Sequence, residues 1–382
     1  MHGDLPKYDT LLVVSDTALF EKEGKTYGFG PVVKELEAML DLFKQITWIG
    51  FKRQDQHSND SFLPVPSEKI EVVFLDPVGG TTVRDKLSVV KKYPFMWNVI
   101  DSEIKKHTYI HCRAPSNPAF IAMQLSKKYP KKQFWFKYAG TWVEGAPWFY
   151  SLQRRLLKKT SANCIVTVNG DWKQQSSRIL SFENPCLTKK DRETGKENVK
   201  NRQYAQSKKY CFVGGLNENK GILLLLQALE KIESDLFSEL HIVGDGPLME
   251  LVRSKTLELN HKIVLHGALT RKQVFAVYKE CHFIILPSKS EGFPKVIGEA
   301  MNFGCIPIVS NISCINQYVV DETNGFLIEP STVKTIKKAI QRSCLVSEEK
   351  FNDIISLNFN LAEKFTYSHY MERIQNDIFK NL

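Results

Sequence analysis

What this chain of 382 residues lacks narrows its chemistry first. None of its eight cysteines forms a Cys-x-x-Cys pair. Cys112, Cys164, Cys186, Cys211, Cys281, Cys305, Cys314 and Cys344 are scattered, most of them in apolar runs. Zinc sites and disulfide frameworks need clustered or paired thiols, so buried free thiols in a reducing compartment are expected. The N-terminal MHGDLPKYDT carries no basic-then-apolar leader, and no apolar run approaches a membrane span in length. A soluble, cytoplasmic protein is the expectation. The glycines before the first helix do not stand at Gly-x-Gly-x-x-Gly spacing, which excludes the dinucleotide fingerprint there. Nor is there a tandem repeat or the signature of a nucleic-acid recognition module, so nucleic acid is not an expected partner.

What is present suits a globular α/β protein. Hydrophobic residues make up 43% of the chain and aromatics 11%, ample for a core. The length suggests two domains. A net charge of +10 is unevenly placed: residues 1–209 hold 34 Lys and Arg against 22 Asp and Glu, whereas residues 210–382 hold 18 against 20. Lys127 to Lys159 contains nine basic residues and one acid, Glu144, interleaved with Trp135, Trp142, Trp148, Phe149 and Tyr150. Basic residues mixed with such aromatics suit an anionic membrane surface or anionic substrate, and equally a solvated basic face over buried aromatics.

In chain order, Thr10–Ser15 predicts a first strand, Asp16 to Gly30 a loop, and Pro31 opens an amphipathic helix. Further strands are expected at Thr47–Phe51, Ile70–Leu75, Tyr109–Cys112, Phe134–Tyr138 and Cys164–Val168, with helices between most of them. The stretch 181–207 is polar and reads as a connection. A second alternation follows, with strands at Tyr210–Val213, Leu240–Val243, Ile263–His266, Phe283–Leu286, Ile306–Ser310 and Gly325–Ile328. Alternating strands and helices imply parallel sheets, whose ligands sit at the carboxyl ends of the strands. The expected domains are 1–207, including the connection 181–207, then 208–360, with a C-terminal helix over 361–382 packing back on the first.

Three turns of the second half converge on one chemistry. Gly214-Gly215 ends a strand, and Lys220-Gly221 opens a helix, where backbone N–H groups and an ammonium favour phosphate. Gly244-Asp245-Gly246-Pro247 ends the next strand. Glu291 lies in the loop between strand Phe283–Leu286 and a helix opened by Pro294 and ended by Gly304; Glu299 lies within that helix. Each turn alone also reads as plain βα turn chemistry. The seven-residue glutamate gap by itself carries little, because Glu250 and Glu258 repeat it on an ordinary helix.

Together, FVGGLNENKG, LHIVGDGP, IVLHGAL, PSKSEGFPKVIGEAMNFGCIPIVS and NGFLIEP resemble, in order, the donor domain of the retaining GT-B glycosyltransferases of family GT4. The resemblance covers about residues 208–345, and the first half resembles the family in architecture only. It implies a GT-B fold of two Rossmann-like α/β/α domains facing a cleft. It also implies transfer of a sugar from a nucleotide-diphosphate sugar, UDP or GDP type, to a glycan or lipid-diphosphate-linked acceptor in surface polysaccharide, lipopolysaccharide or glycoconjugate synthesis. No cofactor is implied and no metal, in keeping with the absence of Asp-x-Asp.

By the same resemblance Glu291 meets the donor sugar, Glu299 the ribose, and Lys220 the leaving diphosphate. Gly214, Gly215, Gly292, Phe293, Lys295 and Val296 surround the donor, Ala268 and Leu269 meet the base through their backbone, and Gly30 approaches the phosphates. One departure is Gly215, where the family commonly has arginine; Lys289 and Lys295 are the nearest cations in sequence. On the acceptor side, His111 is the candidate catalytic base, Arg113 a phosphate ligand, and Trp142 and Glu144 cleft residues. The basic window Lys127–Lys159 implies peripheral attachment to the inner face of the cytoplasmic membrane. Rival readings are a nucleotide-sugar-binding protein of the same fold, a nucleotide-sugar epimerase and a phosphorylase.

Overall fold

The computed structural model describes residues 8–53, 62–66, 68–79, 83–142, 147–173, 175–233 and 237–379, with the side chains of 83–86 excepted. Two compact units emerge: Met1–Phe182 with Tyr370–Leu382, and Glu183–His369.

The first unit begins with β1 (Tyr8–Lys22), β2 (Lys25–Phe29), α1 (Gly30–Met39), β3 (Phe43–Lys52), β4 (Phe62–Pro64) and β5 (Ile70–Leu75). It continues through α2 (Val83–Lys106), β6 (Tyr109–Ala114), α3 (Asn117–Leu125), β7 (Gln133–Tyr138), α4 (Trp148–Leu157), β8 (Cys164–Val168) and β9 (Ile179–Ser181). Its parallel strands run in the order β5-β3-β1-β6-β7-β8-β9. Successive residues of β1 alternate between faces: Leu12 and Val14 join α2 and α3 in one core, while Leu11 and Val13 join α1, Trp48 and Trp135 in the other. That period of two is the geometry of a strand buried on both sides. Tyr370, Ile374, Ile378 and Phe379 complete the second of these cores.

The expected loop at 16–30 is a correction. Strand β1 continues to Lys22, turns through Glu23 and Gly24 at φ 51° and 71°, and returns as the antiparallel β2. Two successive left-handed residues make the tight turn that matches strand twist. This extension is too polar on its outer face to show as an apolar run.

The second unit holds α5 (Lys189–Lys200), β10 (Lys209–Val213), α6 (Ile222–Leu229), β11 (Glu239–Val243), α7 (Met249–Glu258), β12 (Ile263–Gly267) and α8 (Arg271–Glu280). It ends with β13 (Phe283–Leu286), α9 (Lys295–Asn302), β14 (Ile306–Ser310), β15 (Phe326–Ile328), α10 (Val333–Cys344), α11 (Glu348–Leu361) and α12 (Tyr367–Arg373), the last crossing into the first unit's residues. All six strands are parallel, in the order β12-β11-β10-β13-β14-β15. The order reverses between β10 and β13, so the loops that leave these two strands flank the crevice where open α/β sheets take ligands.

Residues 183–207 are more than a connection. Thr188 and Asp191 form a reciprocal N-terminal cap for α5. The helix is held against α9 by Arg192 Nη1 to Asn302 Oδ1 at 2.7 Å and Asn198 Nδ2 to the Phe303 carbonyl at 2.8 Å. Its contacts are polar, so no apolar stripe marks it in the sequence. All eight cysteines are free, seven of them buried. No described helix is long and apolar enough to cross a membrane.

Candidate functional site

At the reversal point, the turn after β10 and the turn after β13 are laced together. The Lys289 N–H donates to the Asn219 carbonyl at 2.7 Å, and Asn219 Nδ2 donates to the Ser290 carbonyl at 2.9 Å. Asn217 caps a single 3₁₀ turn by accepting from the Lys220 N–H at 3.1 Å. Gly221 then takes φ 73°, and a Cβ built there would stand 2.2 Å from the Pro287 carbonyl oxygen. Only glycine combines a left-handed backbone with that approach. Gly221→Ala is therefore expected to cost at least ~2 kcal/mol and to unlace both turns. A melting temperature within experimental error of the parent would contradict this.

This lacing delivers Lys220 to Glu291. Their Nζ and Oε1 atoms lie 2.5 Å apart, and their side chains are only 24% and 12% exposed. A charge-assisted hydrogen bond in such partial burial is much stronger than one between solvated side chains. Lys289 stands beside them, 3.9 Å from Glu218 and itself largely exposed. Gly214 and Gly215 are partly buried in the same turn. A Cβ on Gly215 would stand 3.1 Å from Asn217 Nδ2, tighter than an ordinary contact, so a side chain there would press on the residue that caps the turn. The next turn closes on the first through Gly244: with φ 135°, its Cβ would fall 2.0 Å from the Gly214 carbonyl oxygen.

Glu299 belongs to a second cluster. Arg271, the first residue of α8, places Nε 3.8 Å from Glu299 Oε1 and Nη2 2.9 Å from Asp191 Oδ2, and its guanidinium also reaches the Cys186 carbonyl. Burial alone would lower the Arg271 pKa, but the Asp191 hydrogen bond and the charges of Glu299 and Asp191 raise it. Arg271 follows Ala268, Leu269 and the capping Thr270 directly, so the backbone turn after β12 and the Glu299 carboxylate share one neighbourhood. Arg271 escapes the sequence reading. It sits at the start of an ordinary amphipathic helix, and its partners Asp191 and Glu299 are remote in sequence.

The remaining donor-side candidates divide. Lys295 and Val296 are the first residues of α9, with Pro294 just outside it as N-cap rather than as its first residue; Gly304 follows its end at φ 78°. Gly292 remains partly exposed in the loop. Phe293 is corrected as a ligand side chain: it is buried, with ring centroids 4.9 Å from Phe365 and 4.7 Å from Tyr318. Its apolar ring anchors the turn from beneath.

The acceptor candidates lie in the first unit and change more. His111 is fully buried, stacked on Trp135 at 3.8 Å, with no hydrogen-bond partner for either ring nitrogen among the described residues. Burial first, and the nearby Arg113 charge second, push its pKa well below the ordinary histidine value. It has no route to a hydroxyl group, so the catalytic-base expectation is withdrawn: β6 is buried on both faces, and alternation does not expose every second residue. Arg113 donates to Glu35 Oε1 at 2.9 Å, and Lys137 reaches the same oxygen at 2.9 Å. Trp142 is a core residue packed edge-on against Tyr138, and Trp135 is buried as well. The aromatic-basic window Lys127–Lys159 is therefore not one surface. Lys128 pairs with Asp101, whereas Trp148 and Tyr150 are exposed. Gly30 is buried at the start of α1. Glu144 lies outside the described residues.

Residues 193–356 match the family described as Glycosyl transferases group 1. A glycosyltransferase of Methanocaldococcus jannaschii is 29% identical over 43% of this chain and 41% of its own length. The Escherichia coli UDP-Gal:alpha-D-GlcNAc-diphosphoundecaprenol alpha-1,3-galactosyltransferase is 34% identical over 39% of each. The chain thus spans about two-fifths of the length of these curated relatives. Among solved structures, the lipopolysaccharide outer core galactosyltransferase WaaB superposes with a TM-score of 0.69 at 16% identity, over 98% of this chain and 100% of that one. Residues 193–356 are thus similar to the glycosyl transferases group 1 family, and the two Rossmann-like units have the GT-B fold.

Proposed function

We propose that this protein is a retaining, metal-independent glycosyltransferase that moves a sugar from a nucleotide-diphosphate sugar to a glycan or lipid-diphosphate-linked acceptor in surface glycoconjugate synthesis. The observation that carries the proposal is the Lys220–Glu291 pair at the strand-order reversal of the second unit. An ammonium and a carboxylate held together there match the two ends of the reacting bond: one neutralises a diphosphate, the other accepts from sugar hydroxyls. Its proximity to Arg271 and to the turn after β12 supports a role for Glu299 in accepting from ribose hydroxyls, with the backbone of Ala268 and Leu269 meeting the base.

In this reading the anomeric carbon–oxygen bond breaks with its electron pair passing to the diphosphate, through an oxocarbenium-like transition state. Lys220 and the N–H groups at the start of α9 meet that charge as it develops. The acceptor oxygen attacks on the same face and its proton passes to the departing phosphate oxygen. Lys289 supplies the second cation that Gly215 does not. The E. coli relative's name specifies a UDP-sugar and a diphosphoundecaprenol-linked acceptor. The first unit takes the acceptor, at the cytoplasmic face of the membrane.

The test is thermal stability in the presence of UDP, GDP, ADP, CMP and their sugars, since a ligand that binds only the folded state raises the melting temperature. UDP compounds are expected to give the largest rise, and Lys289→Ala to reduce it. No rise with any nucleotide would overturn the reading.

A further inference from the structure

The second unit has a group of cations that the Lys220–Glu291 site does not use. Helices α6 and α10 pack against each other, and a cleft of about 640 Å³ opens along them. Helix α6 is apolar almost all round: Ile222, Leu225, Leu226 and Leu229 enter the core, which leaves Leu224 half-buried at the cleft. Helix α10 turns Ile336, Ala339, Ile340 and Ser343 inward, and Val333, Lys334 and Lys337 line the cleft. Lys231, just past the end of α6, adds a third ammonium from the other side.

These three lysines lack counter-charges. None of their side chains has a hydrogen bond or ion pair among the described residues. Neither helix contains an acid. Glu230 and Glu233, beside Lys231 in sequence, are exposed, and Glu329, just before α10, is engaged by Asn311. Thr332 and Thr335 close the first turn of α10 in a reciprocal cap, so the pull on an anion comes from the lysines and not from a bare helix end. Like charges gathered in one cleft repel, and an anion placed among them relieves that repulsion.

Size and lining decide the class of anion. A cleft of this volume falls within the range of small-molecule sites. Inorganic phosphate would leave the methyl groups of Leu224 and Val333 and the lysine stems uncovered. A neutral apolar molecule would leave the ammonium groups unmatched. We infer that the α6–α10 cleft binds a small phosphorylated molecule with an aromatic or aliphatic body, its phosphate among Lys231, Lys334 and Lys337 and its body on Leu224 and Val333.

The cleft is tied to the turn that holds Lys220. Ser331, which lines it, donates from Oγ to the Pro287 carbonyl at 3.1 Å. That same carbonyl oxygen is the one a Cβ on Gly221 would approach to 2.2 Å. A ligand that draws on the Ser331 hydroxyl therefore acts on the contact that fixes the lysine turn. Binding in the cleft does not rest on glycosyl transfer; its coupling to the donor site does.

Pyridoxal 5′-phosphate is a suitable probe for the full chain, because it joins an aromatic ring to a phosphate and its aldehyde condenses with a nearby lysine, releasing water. Borohydride then reduces the imine to a stable amine that peptide mass mapping locates. With UDP present to fill the donor site, label is expected on Lys231, Lys334 or Lys337. Titration calorimetry is expected to show much weaker binding of pyridoxal, which lacks the phosphate, and of inorganic phosphate, which lacks the ring. Lys334→Ala/Lys337→Ala is expected to weaken binding at least about tenfold at the parent melting temperature, since these ammonium groups hold nothing else. Saturating probe is expected to change the UDP dissociation constant about fivefold or more, and not in Ser331→Ala. Label spread over lysines outside the cleft, label on Lys220 that UDP displaces, or undiminished binding in the double variant overturns the site. An unchanged UDP affinity with the cleft filled overturns the coupling. Failure of UDP to bind, with label still confined to the cleft, counts against the donor reading and leaves the site standing.

Discussion

Lys220→Ala is expected to lower kcat for sugar transfer by about a hundred- to a thousandfold at saturating donor, the range for removing one preorganised charge from a developing anion. Lys220 is positioned by three independent devices. Asn217 caps its turn, Gly221 lets the chain pass against Pro287, and Asn219 ties the turn to Lys289 and Ser290. The ammonium is thus fixed before the donor arrives, and little reorganisation remains for the transition state. Its removal also strands Glu291, only 12% exposed, without its cation. Lys220→Arg should recover part of the rate, since charge is restored with different geometry. Glu291→Gln should reduce kcat while leaving the nucleotide-induced rise in melting temperature nearly intact, because it acts on the sugar. Unchanged turnover in Lys220→Ala with saturating donor would remove Lys220 from the reaction.

Glu35→Leu is expected to destabilise the first unit by about 3–5 kcal/mol, the usual cost of breaking a buried ion pair by deleting one partner. Glu35 Oε1 accepts from Arg113 at 2.9 Å, from Lys137 at 2.9 Å and from the Tyr370 hydroxyl at 3.0 Å. The side chains of Glu35 and Lys137 are 1% and 6% exposed, so water replaces little of what is lost. The cluster joins α1, β6, β7 and the C-terminal Tyr370 within one unit, although Glu35 and Tyr370 stand 335 positions apart. Denaturant unfolding followed by tryptophan fluorescence measures the change. The double variant Glu35→Leu/Lys137→Met should recover part of it, since one stranded charge is removed. A loss below about 1 kcal/mol would show that solvent reaches these cations. The same geometry sets a limit on Arg113: a phosphate would compete with Glu35 for its guanidinium.

Much of this protein was legible from its residues alone. The strands Ile70–Leu75, Cys164–Val168, Phe283–Leu286 and Ile306–Ser310 are bounded as their apolar runs predict. A strand buried on both faces writes a continuous apolar segment, and Gly or Pro marks its ends. The donor-type turns were equally readable, because a close backbone approach demands glycine at named positions such as Gly221 and Gly244.

What the residues could not show were pairings made across long sequence separations. Helix α5 hides in a polar stretch because its contacts with α9 are hydrogen bonds and not an apolar stripe. Arg271 gains meaning only from Asp191 and Glu299, and Arg113 only from Glu35. His111 stood as the candidate catalytic base, but tertiary burial of both faces of β6 removed it. The basic window Lys127–Lys159 dissolved into core tryptophans and paired lysines. Local patterning thus determined the elements, their order and the phosphate-type turns, since these depend on neighbours in sequence. Only the folded chain decided which charges meet, which aromatics face water and which histidine is out of reach, because those follow from the packing of distant segments.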